Sequence, residues 1–160
     1  MITQKQLKEL LYYDPKTGVF TWRVSTNSRA PVGSVAGCSD NKGYRLIGIG
    51  GKSYKAHRLA FLYMTGSFPE NQVDHINHDP ADNRWENLRN VTNFENGRNQ
   101  SLHKRNKTGV PGIEKRPSGS WAVKVLRRYL GTYKDFELAE FVASEAREHF
   151  GFHPNHGARL

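Results

Sequence analysis

Leu7, Leu10 and Leu11 recur at helical spacing behind Thr3, whose hydroxyl suits an N-cap, and the pattern predicts a short helix over residues 3–13. Asp14-Pro15-Lys16-Thr17-Gly18 is a turn by composition, and Val19-Phe20-Thr21-Trp22 after it reads as a strand. From there to Gly51 the chain is rich in Gly and Ser, with closely spaced apolar positions at Tyr44, Leu46, Ile47 and Ile49. Short strands and hairpins are expected there, and Ser53-Tyr54-Lys55 begins another strand. Ala56 to Met64 reads as a buried helix stopped by Gly66 and Pro69. Residues 71–76 and 88–91 then read as two strands separated by a long polar loop. Thr92 and Glu95 have capping-box spacing, which predicts a helix over 93–102.

Beyond the basic run His103-Lys104-Arg105-Asn106-Lys107-Thr108 the pattern changes. Residues 112–116, 121–126 and 129–133 read as three short antiparallel strands, with Pro117-Ser118-Gly119-Ser120 as the first turn. Apolar residues at 138, 139, 141, 142, 146 and 150 make an amphipathic helix from Phe136 to Phe150, ended by Gly151. The expected class is α+β: a β-rich N-terminal region leading into a strand–loop–strand–helix unit, then a three-stranded antiparallel sheet packed on one helix. The expected domains are 1–102, with a core at about 54–102, and 111–160, joined by a basic linker at 103–110.

Charge sharpens this division. The formal net charge is +9, which points to a polyanionic partner, nucleic acid or an anionic membrane surface. Residues 101–130 alone carry 8 Lys and Arg against 1 acidic residue, whereas 131–160 carry 3 against 5. A basic block backed by an acidic helix suits a DNA-facing surface. No apolar run approaches the roughly 18 residues of a membrane-spanning helix, and the first ten residues lack the apolar core of a signal peptide. The single cysteine, Cys38, allows neither an internal disulfide nor a multi-thiolate zinc site. A soluble, cytoplasmic protein is expected, with no membrane partner and no small-molecule cofactor.

The chemistry concentrates in Val73-Asp74-His75-Ile76-Asn77, Asp82-Asn83-Arg84-Trp85-Glu86-Asn87-Leu88-Arg89 and Asn96. Asp74 and Asn96 offer hard oxygens to Mg²⁺ or Mn²⁺, which tolerates few protein ligands because water and phosphate fill the rest. His75 titrates near neutrality and can accept a proton from an attacking water. No zinc is expected. His57 reads as a packed structural residue, Arg58 as either a phosphate contact or a tie between helix and hairpin, and His78 as a loop substitution. Arg89 and Arg98 flank the site and suit either DNA contact or a surface role.

These strings resemble the HNH endonuclease motif, the ββα-metal site, and the N-terminal region resembles the extension carried by phage HNH proteins. The resemblance implies that His75 is the general base, that Asp74 and Asn96 hold the metal, and that Asn87 fixes the loop and holds the His75 backbone or ring. Gly112-Ile113, Lys115-Arg116-Pro117, Gly119, Trp121-Ala122 and Leu130-Gly131-Thr132-Tyr133 resemble the AP2 (integrase-type) DNA-binding domain. On that analogy Lys115, Arg116, Trp121, Lys124, Arg127 and Arg128 face double-stranded DNA, joined by Lys104, Arg105 and Lys107 of the linker. Strand parity puts Trp121 and Lys124 on opposite faces, so one of them is structural unless the strand bends. The whole resembles a phage-type HNH homing endonuclease, a metal-dependent DNA phosphodiester hydrolase. A catalytically inactive DNA-binding protein on a nuclease scaffold is the competing reading, and an RNA-directed protein a weaker third. Monomer or homodimer, and nick or double-strand cut, stay open.

Overall fold

Thr3 opens the first helix with a complete capping box, its hydroxyl accepting from the Gln6 amide while the Gln6 side chain accepts from the Thr3 amide. Helix α1 (Gln4–Leu10) is shorter than the helix expected over 3–13, because Leu11 turns to extended backbone and starts strand β1 (Leu11–Asp14). The apolar residues Leu11 and Tyr13 are two apart, which in a strand puts both on the buried face. Strand β1 pairs antiparallel with β2 (Val19–Trp22) around the expected Asp14–Gly18 turn. The chain is described from a computed structural model that covers residues 1–25 and 30–158.

Two short hairpins follow, joining β3 (Cys38–Ser39), β4 (Arg45–Ile49) and β5 (Lys52–Lys55) into a three-stranded antiparallel sheet. Helix α2 (Ala56–Thr65) starts directly after β5 and ends at Gly66, whose left-handed backbone (φ 87°) donates its amide to the Leu62 carbonyl. Its inner face of Ala56, Leu59, Ala60, Phe61 and Leu62 joins Leu7, Leu11, Tyr13, Phe20 and Ile47 in one apolar core. Strands β6 (Gln72–His75) and β7 (Leu88–Val91) then form a separate two-stranded antiparallel ladder, where the sequence pattern expected it.

The chain divides into two compact units, 1–93 and 94–160. The expected helix over 93–102 is reduced to α3 (Asn93–Gly97), which begins at that boundary. Gly97 is a weak helix former, and the following backbone is engaged elsewhere. The Arg98 and Gln100 carbonyls accept from the amides of His153 and Gly157, and the Leu102 amide donates to the Ala158 carbonyl. The C-terminal tail therefore claims the groups a longer helix would need. The basic segment 103–108 lies inside the second unit, where Asn106 bonds its side chain to Thr108, Gly109 and Val110.

In that unit β8 (Ile113–Lys115), β9 (Trp121–Val125) and β10 (Arg128–Tyr133) form an antiparallel sheet with β9 in the centre. Helix α4 (Phe136–His149) is capped by Asp135 and packs Ala139 and Ala143 on Val110, Ile113 and Val123. The mixed α+β class expected from the sequence is what the chain adopts. No helix among the described residues is long and apolar enough to cross a membrane.

Candidate active site

The β6–β7 ladder sets Asp74 opposite Arg89 and His75 opposite Leu88. Strand alternation sends neighbouring side chains to opposite faces, so the two groups at the end of β6 meet different surroundings. Asp74 (8% exposed) receives two hydrogen bonds on Oδ2, from Arg89 Nε at 2.9 Å and Nη2 at 2.7 Å. His75 (5% exposed) meets an aromatic wall, with the His57 ring centroid 5.0 Å away and that of Tyr44 6.0 Å away. Its Nε2 lies 3.4 Å from Oδ1 of Asn83, a residue only 2% exposed.

Burial lowers the pKa of His75, the Asn83 hydrogen bond and the nearby carboxylates of Asp74, Asp79 and Asp82 acting in the opposite sense. Burial thus favours the uncharged imidazole. His57 is pushed down to about 3 by burial first, then by His75, Lys55 and Arg58. It is an uncharged wall of the site and packs as a structural residue. Arg58 reaches the Pro69 and Asn71 carbonyls at 3.1 and 3.4 Å, which ties α2 to the segment ahead of β6.

The loop between the strands is held by Asx-type bonds. Asn77 Oδ1 accepts from the Asp79 amide, Asp79 Oδ1 from Ala81, and Asp82 Oδ1 from Arg84. Asn87 closes it from within a single 3-10 turn (Trp85–Asn87). Its Oδ1 accepts from the Asn77 amide at 3.0 Å, and its Nδ2 donates to Asn77 Oδ1 at 2.9 Å and to the Asp82 carbonyl at 2.8 Å. These bonds place Asn87 at the loop and beside the backbone that follows His75; the ring of His75 is held by Asn83 instead. The sequence quotes Asn83 inside Asp82-Asn83-Arg84, but nothing in its spacing distinguishes it from the neighbouring amides. His78 sits at φ 65°, a left-handed position that a glycine would fill without strain.

Asn96 lies half-buried on α3 in the second unit, its carbonyl accepting from the Asn99 amide. Arg98 stacks its guanidinium 3.9 Å from the Phe94 ring, a packing role within that unit. Lys104, Arg105 and Lys107 are exposed, as are Lys115, Lys124, Arg127 and Arg128, and Arg116 is half-buried. Leu126 and Arg127, at φ 49° and 63°, form a two-residue hairpin turn that presents Arg127 and Arg128 at its tip. Trp121 packs edge-on against Phe136 at 4.8 Å and belongs to the apolar core of the unit. Trp121 is partly buried, whereas Lys124 is exposed.

A hard divalent cation needs few protein ligands. Asp74 suits it as a nearly buried carboxylate, its Oδ2 accepting from Arg89. Among the described residues no group of three or more His, Cys, Asp or Glu is gathered for a metal.

Residues 54–98, the stretch that holds α2, β6 and β7, match the family model described as HNH endonuclease. A comparison with curated proteins found no match. Among solved structures the chain is similar to one titled "DNA binding and cleavage by the HNH homing endonuclease I-HmuI". That similarity is 26% in identity with a TM-score of 0.43, and it covers 56% of this chain and 51% of the other. The chain thus spans about half the length of the structure it matches.

Proposed function

We propose that the chain is a metal-dependent HNH endonuclease that hydrolyses phosphodiesters of double-stranded DNA at a preferred site, of the phage homing type. The observation that carries this reading is the buried His75, its Nε2 facing Asn83 and Asp74 beside it in β6, inside the segment that matches the HNH endonuclease model.

Each residue has a stated task. His75 accepts the proton of the attacking water. Asp74 would hold the divalent cation, Mg²⁺ or Mn²⁺, with Asn96 as the second oxygen donor that the motif supplies. When bound, that cation stabilises the charge that develops on the phosphate and on the leaving 3′-oxygen. Asn87 keeps the loop closed so that the end of β6 stays in place. The second unit, a three-stranded sheet on one helix of AP2-like form, supplies affinity and register through exposed Lys115, Lys124, Arg127 and Arg128 and the basic segment at Lys104, Arg105 and Lys107.

One observation favours the alternative of a DNA-binding protein without cleavage: Arg89 already occupies one oxygen of Asp74. Supercoiled plasmid incubated with Mg²⁺ or Mn²⁺, against an EDTA control and His75→Ala protein, separates the two. Metal-dependent conversion to open circles or linear product, absent in the variant, supports the nuclease. Binding to DNA without cleavage under either metal supports the alternative.

A further inference from the structure

The loop between β9 and β10 is two residues long, since Arg128 pairs directly with Val125. Both of its residues, Leu126 and Arg127, have left-handed backbone. Loops of this length take Asn-Gly readily, because left-handed backbone crowds a Cβ against the following carbonyl oxygen. Leucine and arginine are unfavourable choices there, so their presence calls for a reason.

Leu126 gains little from the interior in return. The apolar core of its unit gathers Val110, Ile113, Val123, Ala139 and Ala143. Leu126 stands outside that core, 44% exposed, with one edge on a shallow hollow that Pro111 and Phe152 also line. Folding alone gives no reason to keep an apolar side chain that is both strained in its backbone and open to water.

The neighbouring charges say what the tip is suited to meet. Lys124, Arg127 and Arg128 are exposed around Leu126. The single acidic residue of 101–130, Glu114, is on β8 and pairs across the sheet with Ala122, away from the tip. An apolar point ringed by cations fits a polymer with anionic charge outside and stacked apolar faces inside. Duplex DNA has that construction: phosphates meet the cations, and an apolar side chain can enter between base pairs.

We propose that Leu126 is a wedge that enters between neighbouring base pairs of duplex DNA, unstacking one step and kinking the duplex, while Lys124, Arg127 and Arg128 hold the adjoining phosphates. This rests on the reading of the second unit as DNA-binding, and adds to it a residue that deforms the duplex. Pyrimidine–purine steps unstack most easily, so the wedge favours them and contributes to site preference without a hydrogen bond to a base.

The test uses the full chain in EDTA, which keeps metal-dependent cutting out of the measurement. Closed circular plasmid is bound, relaxed with a metal-independent type I topoisomerase, stripped of protein and read for its linking number. Filter retention reads binding of the same plasmid, and thermal melting reads folding. The wild type should leave a linking deficit that grows with bound protein. Leu126→Asn suits the left-handed turn better, so its midpoint should hold or rise; it should still bind the plasmid and lose the deficit. Leu126→Met keeps an apolar wedge and should retain the deficit. Arg127→Asn relieves the same turn and spares the wedge, so the deficit should persist while the salt slope of binding falls by about one. A wild type that binds without a deficit, a Leu126→Asn protein that unwinds like the wild type, or a Leu126→Asn protein with a lowered midpoint would each overturn the proposal. Leu126-dependent retention on phosphatidylserine vesicles, without unwinding of plasmid, would overturn it in favour of a membrane surface. A wild type that binds no plasmid takes the DNA-binding reading down with the wedge. One that unwinds plasmid in EDTA yet cuts none with Mg²⁺ refutes the nuclease alone and supports the wedge.

Discussion

Replacing Asn87 by alanine removes three hydrogen bonds from a side chain that is 5% exposed: one accepted from the Asn77 amide, and two donated to Asn77 Oδ1 and the Asp82 carbonyl. A neutral hydrogen bond contributes about 1 kcal/mol net, and a buried partner left unmet costs about 1–3 kcal/mol. Asn77 is exposed and water can replace part of what it loses, whereas the Asp82 carbonyl is bonded deeper in the loop. The expected cost of Asn87→Ala is therefore about 3 kcal/mol. Two units in one chain make a single global transition a poor gauge. Hydrogen exchange of the β6 and β7 amides, followed with increasing urea, reads the relevant unit. Combined with Asn77→Ala in a double-mutant cycle, the two substitutions should couple by about 1 kcal/mol, since they share one of the three bonds, the Asn77 amide being backbone that alanine keeps. Additive effects, or a loss below about 1 kcal/mol for Asn87→Ala alone, would refute the loop-lock argument and leave Asn87 as packing.

Because His57 is pushed from 6.5 down to about 3 in the folded chain, the unfolded chain binds the extra proton first as pH falls. Its contribution to stability is complete above about 6.5 and is lost progressively toward about 3, a difference on the order of 5 kcal/mol by linkage; His57→Phe should flatten the acid limb of a stability–pH curve over that window, and an unchanged slope would count against the buried neutral state. In the second unit Lys124→Ala should weaken DNA binding and reduce the salt slope by about one, with little effect on stability. Trp121→Ala should instead destabilise that unit by about 3 kcal/mol or more through lost packing, and titration against labelled DNA at several salt concentrations distinguishes the two effects.

The elements that were legible are those whose signal is local. Gly66 after an apolar run, the Asp14–Gly18 turn and the alternation around Val123 each fix a boundary through backbone sterics or burial within a few residues. Two helix ends were not legible, because the competing interactions come from elsewhere in each unit. Leu11 is an adequate helical residue, and only the chance to pair with Trp22 across β2 makes it a strand. Arg98 to Ser101 are polar and helix-tolerant, but the backbone of Arg98, Gln100 and Leu102 is drawn off by residues 153–158.

The candidate site divides along the same line. Asp74, His75 and Asn87 stand out because their chemistry is compressed into a short string, and the ladder of β6 and β7 keeps them close. Asn83 carries the same side chain as Asn77 and Asn87, so residue type cannot say which amide faces the imidazole. That assignment depends on a hydroxyl 70 positions away and on the one residue, Gly18, that lets two backbones approach closely enough to fix the loop. Asn83, whose side chain faces the imidazole, thus has its backbone bonded by the N-terminal hairpin, a contact that no local pattern reveals.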